Sequence, residues 1–256
     1  MNIYDGVINK KKELYERDGF VVLSNFFDDE YVKTLILESN RLLLIANNNK
    51  ESNPIKFNQV NSQIYRIDPI INISKIYKNL LKNKNFINIL EFFEGSEISL
   101  LKDKLIYKPA GSRGYPMHQD YAWCQGIFPS SLFSVMISLC KANEKNGAVK
   151  FFKGYHDKLL STENEIRHMN QNEVKQVNLE KGVIVELNMG DIVIFKGLTP
   201  HQSSENLSNE SRPLLYFSFN HKKDGNFYNE YWNQYEKYSQ STLDINGNYI
   251  NPYESK

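Results

Sequence analysis

The feature that most restricts what this chain can fold into is a change of texture near residue 95. Beyond it, short apolar runs follow one another at residues 99–107, 132–139, 149–152, 174–179, 191–195 and 214–219. Each is closed by a turn signal, such as Lys108-Pro109-Ala110-Gly111, Glu144-Lys145-Asn146-Gly147 or Asn188-Met189-Gly190-Asp191. Runs of this length are short for a helix and right for a strand. Many of them at regular spacing predict a β-sandwich or barrel such as a jelly roll. Asn146-Gly147, between two apolar runs, predicts a hairpin turn.

The first 95 residues have a different pattern. Helical periodicity covers residues 7–17 and ends at Asp18-Gly19, and Phe20-Val21-Val22-Leu23 follows as a strand. Asp28-Asp29-Glu30 opens a second helix to about Ala46, with acids at the positive end of its dipole. Further helical pattern occupies residues 73–93, and a Tyr-rich helix is expected over 224–238. With no internal repeat and no Pro/Gly/Ser-rich linker, the expectation is one mainly β domain with α over 1–256. Residues 1–95 would be mostly helical support, 96–222 the jelly-roll core, and 223–256 a C-terminal helix and tail.

Composition matters here mainly for what it excludes. Apolar residues make up 41% and charged residues 24%, an ordinary globular balance. A formal net charge of +1 without long runs of one sign argues against nucleic acid or a membrane surface as partner. No window approaches the roughly 18–20 apolar residues that cross a bilayer. The N-terminal segment carries charges where a secretory signal needs an apolar core. Cys124 and Cys140 are too few for a disulfide framework or a thiolate zinc site, so a reducing, cytoplasmic setting is the default expectation.

Three separated elements carry chemistry. In Met117-His118-Gln119-Asp120, an extended backbone would turn His118 and Asp120 to one face. Alone, such a pair is more often a surface or turn pair. The second element is His201 in Thr199-Pro200-His201-Gln202-Ser203-Ser204, just beyond an apolar strand that would carry it into a barrel. Two imidazoles and one carboxylate on one face of a metal form the facial triad of non-haem Fe(II) oxygenases, with positions left open for co-substrate and dioxygen. The third is Arg212, eleven residues after His201 and leading into an apolar strand. A guanidinium entering a barrel needs an anion, and a dicarboxylate supplies one in bidentate geometry. By itself Arg212 is more often a strand-edge arginine in water.

At these residues the chain resembles the phytanoyl-CoA dioxygenase family of Fe(II)/2-oxoglutarate oxygenases. The resemblance also takes in Glu16 to Leu23, Lys108-Pro109, Asn146-Gly147-Ala148, Gly154-Tyr155-His156-Asp157-Lys158 and Gly190-Asp191, in the family's order. It implies a double-stranded β-helix, iron on His118, Asp120 and His201, and 2-oxoglutarate with its far carboxylate on Arg212, assisted by Ser203. Lys104, with Leu100 and Met136, stands on strands that contact the co-substrate in the family. Because Asp120 is present where halogenating relatives carry a small residue, hydroxylation is implied, although desaturation or ring chemistry could use the same site.

Tyr121, Trp123 and Gln125 after the metal motif, and Arg113 before it, are candidates for the substrate pocket, or simply pack over the barrel mouth. Arg66 is a candidate for an anionic substrate group. His156 is expected to have a structural or surface role, and His168 and His221 to be exposed. Two other readings stay open: a metal-dependent cupin-like enzyme that does not use 2-oxoglutarate, and a non-catalytic metal-binding jelly-roll module. A small polar metabolite is favoured as substrate, since no basic cluster suits a CoA phosphate. Oligomeric state is not readable.

Overall fold

The computed structural model describes residues 3–48, 56–60, 63–124, 131–162 and 167–241. Gln125 and the end of the expected tail lie outside the described residues. In chain order the elements are α1 (Ile3–Asp18), β1 (Phe20–Leu23), α2 (Asp29–Asn48), β2 (Lys56–Val60), β3 (Gln63–Asp68), α3 (Lys75–Leu80) and α4 (Lys84–Glu94). Then follow β4 (Ile98–Ile106), β5 (Tyr115–His118), β6 (Phe133–Ser138), β7 (Val149–Phe152) and α5 (Gln171–Val174). The last are β8 (Gly182–Ile184), β9 (Ile192–Lys196), β10 (His201–Ser203), β11 (Leu214–His221) and α6 (Tyr228–Ser241). No helix among the described residues is long and apolar enough to cross a membrane.

The strands form two antiparallel sheets that face each other, the expected double-stranded β-helix. The larger runs β1-β9-β6-β11-β4-β3-β2 and the smaller β5-β10-β7-β8. Period-two alternation divides the large sheet between two cores. Val135, Ile137, Leu215, Phe217, Ile192 and Ile194 point outward and pack under α2, α3 and α4. Met136, Leu214, Tyr216, Val193 and Phe195 point inward and meet Val149 and Phe151 of the small sheet. Both faces are therefore covered, and the helical third buttresses only one. The inward row also contains Ser134, Ser218 and Asn220, all buried, where an apolar core would not place them. Polar groups on a buried strand face mark a chamber.

One turn ties the N-terminal helix to the site. Gly19 has φ +84°, and a Cβ there would stand 2.5 Å from His156 Nδ1 and 2.6 Å from Thr199 Oγ1. Only glycine fits this close approach. The Gly19 carbonyl accepts from the Thr199 hydroxyl at 2.7 Å and from Lys196 N–H at 2.9 Å, fixing the segment that leads into His201. His156 is buried and its Nε2 meets the Glu16 carbonyl at 3.0 Å, a structural role and not a surface one.

Four local expectations are corrected. Residues 73–93 form two helices, because Ser74 caps one and Asn83 the next. Residues 174–179 are no strand: Asn170 and Glu173 make a capping box, Gln171–Val174 is helical, and Val177 packs with Met169 and Leu160. Asn146-Gly147 does not close a hairpin, since β6 and β7 belong to different sheets. There Asn146 ends a short 3-10 turn and Gly147 is left-handed at φ +76°. The "helical" third also hides strands, β2 and β3, which extend the large sheet beyond β4.

Candidate metal centre and anion site

β10 pairs with β5 so that His201 lies directly opposite His118, with ring centroids 4.1 Å apart. The two residues do not share a strand with Asp120, as extended spacing predicts. β5 ends at His118, and Asp120 opens a short 3-10 helix, Asp120–Cys124. Buried Gln119 holds that corner: its amide donates to the carbonyls of Lys158 at 2.8 Å and Leu198 at 2.5 Å, and its oxygen accepts from Leu160 N–H at 2.7 Å. The bend delivers Asp120 Oδ1 to 3.7 Å from His118 Nε2 and 4.0 Å from His201 Nε2. One ligand atom from each residue falls within 4.8 Å of the others, and all three residues are buried.

Hydrogen bonds set the direction of each donor. His118 Nδ1 meets the Pro116 carbonyl and His201 Nδ1 the Thr199 carbonyl, both at 3.0 Å. A carbonyl only accepts, so each Nδ1 carries the hydrogen and each Nε2 presents a lone pair to the centre. Burial holds both imidazoles below the usual histidine range and therefore neutral. Burial works to raise the Asp120 carboxyl, but Lys102 and Lys104, then the two histidines, outweigh it and keep the group ionised. Asp120 Oδ2 accepts from Ser134 Oγ at 2.7 Å, and Ser134 Oγ lies 2.8 Å from Ser218 Oγ. Two neutral nitrogens and one carboxylate oxygen, converging in a buried site, fit a divalent cation of the Fe(II) type with positions to spare. Ser134→Ala removes the bond that orients Asp120. It is expected to weaken Fe(II) affinity about tenfold, the lower end for an outer-shell partner. Metal titration checks this, and unchanged affinity would deny Ser134 the role.

Arg212 sits two residues before β11, only 2% exposed, and its Nε and Nη1 have no hydrogen-bond partner in the protein. Orphaned buried N–H groups of a cation are costly, and a bound carboxylate would supply an acceptor that the protein does not. Lys108 adjoins it, a residue the sequence did not single out for this site. The Lys108 ammonium donates to Ser203 Oγ at 3.2 Å and to the Arg113 carbonyl at 3.0 Å. Burial, and then repulsion from Arg212, push it down to about 7. Two cations and a hydroxyl thus share one pocket. Ser203 is two residues beyond His201 on β10, which puts it roughly 7 Å away along the strand. That distance suits a short keto-diacid reaching from metal to guanidinium.

The remaining candidates divide. Lys104 lies opposite Tyr216 in register, with its ammonium 5.1 Å from that ring's centre, and burial pushes it down to about 7. Met136 faces the same interior, whereas Leu100 packs on the helical side. Trp123 stands edge-on to His168 at 5.6 Å, and Tyr121 packs with Leu101, Cys124, Leu132 and Tyr231. The Arg113 side chain is exposed, and only its carbonyl reaches the site. Arg66 is ion-paired with Asp68 and lies over Tyr235. His168 is not the exposed residue expected: its ring is 5.7 Å from His118 and 4.7 Å from Tyr115, on the rim of the metal centre. His221 is half-buried against Glu94, at 2.9 Å.

Comparison with known proteins places the chain among dioxygenases by sequence and by fold. The chain is 22% identical over 160 residues to a 2-aminoethylphosphonate dioxygenase of an uncultured bacterium, covering 62% of this chain and 60% of that protein. It is 27% identical over 241 residues to an ectoine dioxygenase of Bordetella bronchiseptica, covering 84% and 76%. The fold matches EctD from S. alaskensis, solved with 2-oxoglutarate and 5-hydroxyectoine, at TM-score 0.74 and 19% identity over 84% of this chain and 76% of that one. It also matches the epimerase SnoN from nogalamycin biosynthesis, solved with Fe3+ and alpha ketoglutarate, at TM-score 0.70 and 18% identity over 85% and 84%. The family model for phytanoyl-CoA dioxygenase (PhyH) matches residues 15–214, a span that runs from the Gly19 turn through the three converging side chains to Arg212. By that match the chain belongs to the phytanoyl-CoA dioxygenase family.

Proposed function

We propose that this protein is an Fe(II)- and 2-oxoglutarate-dependent oxygenase that hydroxylates an unactivated C–H bond of a small-molecule metabolite, with its described elements acting as one catalytic domain. His118, Asp120 and His201 are the iron ligands, and Arg212, with Ser203 and Lys108, holds the far carboxylate of 2-oxoglutarate. The observation that carries this reading is a buried guanidinium with orphaned donors placed one short strand away from a buried His-Asp-His cluster. When bound, iron and 2-oxoglutarate supply dioxygen activation coupled to release of succinate and CO2.

The chain's own residues do the rest. The Pro116 and Thr199 carbonyls hold the imidazoles in the tautomer a metal needs, and Ser134 fixes the carboxylate. The two core clusters keep water from the site's flanks, which strengthens each charge interaction inside. The relatives' names support a small polar substrate, since they refer to ectoine and a phosphonate. Arg212 disfavours a cupin-like enzyme without 2-oxoglutarate, because such an enzyme has no use for a guanidinium in that place.

The test is a metabolite screen for substrate-stimulated succinate release under Fe(II), ascorbate and oxygen. The expected result is stoichiometric succinate and hydroxylated product that vanish without iron or without 2-oxoglutarate. Product formation that does not require 2-oxoglutarate would overturn the reading.

A further inference from the structure

The inward face of β4 carries two lysines where a strand facing a core carries aliphatics, and they differ in their company. Lys104 is placed on Tyr216, whose hydroxyl lies within reach of Arg212, at the co-substrate end of the chamber. Lys102 is 5% exposed and faces Ser218 across the β4–β11 ladder. Among the described residues its ammonium makes no ion pair and no hydrogen bond. Its neighbour is the face of Tyr231 on α6, 5.6 Å away.

Each acidic group nearby is already engaged. Asp68 is paired with Arg66. Asp103 points the other way along the strand and accepts from the N–H groups of Ile70 and Ile71 and from the Tyr228 hydroxyl, at 2.6, 2.8 and 2.8 Å. The Cys124 thiol, pushed up to about 11 by burial, stays neutral. Ser218, opposite Lys102, has its Oγ 2.8 Å from the Ser134 Oγ that donates to Asp120 Oδ2 at 2.7 Å, which places Lys102 and Asp120 in one chamber. Once Asp120 and the keto-acid carboxylate of 2-oxoglutarate both ligate a divalent cation, their charges are offset there, and the centre has no net negative charge left for Lys102. A buried ammonium in that position requires an anion from outside the chain. The far carboxylate of 2-oxoglutarate does not provide it, being held at Arg212 and Lys108.

We propose that the primary substrate is a small oxyanion, a carboxylate or phosphonate-like group, that docks on Lys102 with its body against the aromatic wall of Tyr121 and Tyr231. This rests on the oxygenase reading above and narrows it to a charge class. Arginine at position 102 would preserve the recognition, and an aliphatic side chain of similar length would abolish it.

Benzoate and benzamide have the same outline and differ by one charge, so they make a matched pair of probes. Each is titrated calorimetrically into anaerobic protein loaded with Fe(II) and 2-oxoglutarate. Benzoate is expected to bind at least tenfold more tightly than benzamide. Lys102→Met should erase that preference, and Lys102→Arg should keep it, with 2-oxoglutarate affinity unchanged in both. Equal affinities in the parent protein, a preference that survives Lys102→Met, or a loss of 2-oxoglutarate affinity in Lys102→Met would each overturn the proposal. Protein that takes up neither iron nor 2-oxoglutarate overturns the oxygenase reading and this inference with it. Loaded protein that does not discriminate overturns this inference alone.

Discussion

His201→Ala is expected to abolish iron retention and turnover together while leaving the fold in place. The imidazole supplies one of three ligand atoms, and the two that remain, from His118 and Asp120, are neighbours on a single corner of chain. Losing an outer-shell partner costs a metal site about 10- to 100-fold in affinity, so loss of a direct ligand should exceed that range. Iron stoichiometry after gel filtration should fall from near one to near zero, and succinate release should drop below detection. The scaffold has little reason to fail. His201 is packed between Phe151 and Phe195, ring centroids 5.5 and 5.1 Å away, and burial of two imidazoles beside a carboxylate works against folding when no metal is present. Circular dichroism should therefore match the parent, and the metal-free melting temperature should stay close to it. A variant that keeps iron and turns over would remove His201 from the site. A variant that unfolds is answered by His201→Gln, which keeps most of the volume and a polar end but not the imidazole.

The order of these residues was readable because each metal ligand stands beside a strand or turn with its own sequence signal. β11 was readable as an apolar strand, but not its division into faces: Leu215 and Phe217 face the helices, while Tyr216, Ser218 and Asn220 face inward. What sequence did not reveal depends on sheet partners. A lysine in a strand reads as a solvent-facing residue until its face is known, so Lys102 escaped notice, and its inward direction follows only from pairing with Ser218. Lys108 was hidden for a different reason. It has φ +40° in a turn, a place that suggests exposure, yet the Gly147 backbone leaves room for its side chain to run inward. A Cβ on Gly147 would lie 2.3 Å from Lys108 Cε. His168 sits far from the metal motif in sequence, and only the loop that hydrogen-bonds Met169 N–H to the Met117 carbonyl brings it to the rim. The His118–Asp120 geometry shows the limit of period-two reasoning. The structure does bring that pair together, although the strand stops before it is complete and Gln119 supplies the bend.

Arg212→Ala is expected to separate co-substrate binding from metal binding. Truncating one partner of a buried, hydrogen-bonded charge pair costs about 2–5 kcal/mol, which at about 1.4 kcal/mol per tenfold is roughly 30-fold to several thousand-fold in the KM for 2-oxoglutarate. Iron content should remain at the parent level, because no ligand atom depends on the guanidinium. The stability readout has the opposite sign from an ordinary core deletion. Without an anion, Arg212 holds Nε and Nη1 unsatisfied beside a second buried cation, Lys108, so its removal relieves a desolvation cost and a repulsion. The melting temperature without 2-oxoglutarate should hold or rise, while the upward shift that 2-oxoglutarate gives the parent should disappear. Arg212→Lys keeps the charge but loses the planar pair of donors and should fall between the two. A KM for 2-oxoglutarate that does not move in Arg212→Ala would place the co-substrate carboxylate elsewhere. An Arg212→Ala protein that instead loses its iron would show that the guanidinium supports the metal centre rather than an anion beside it.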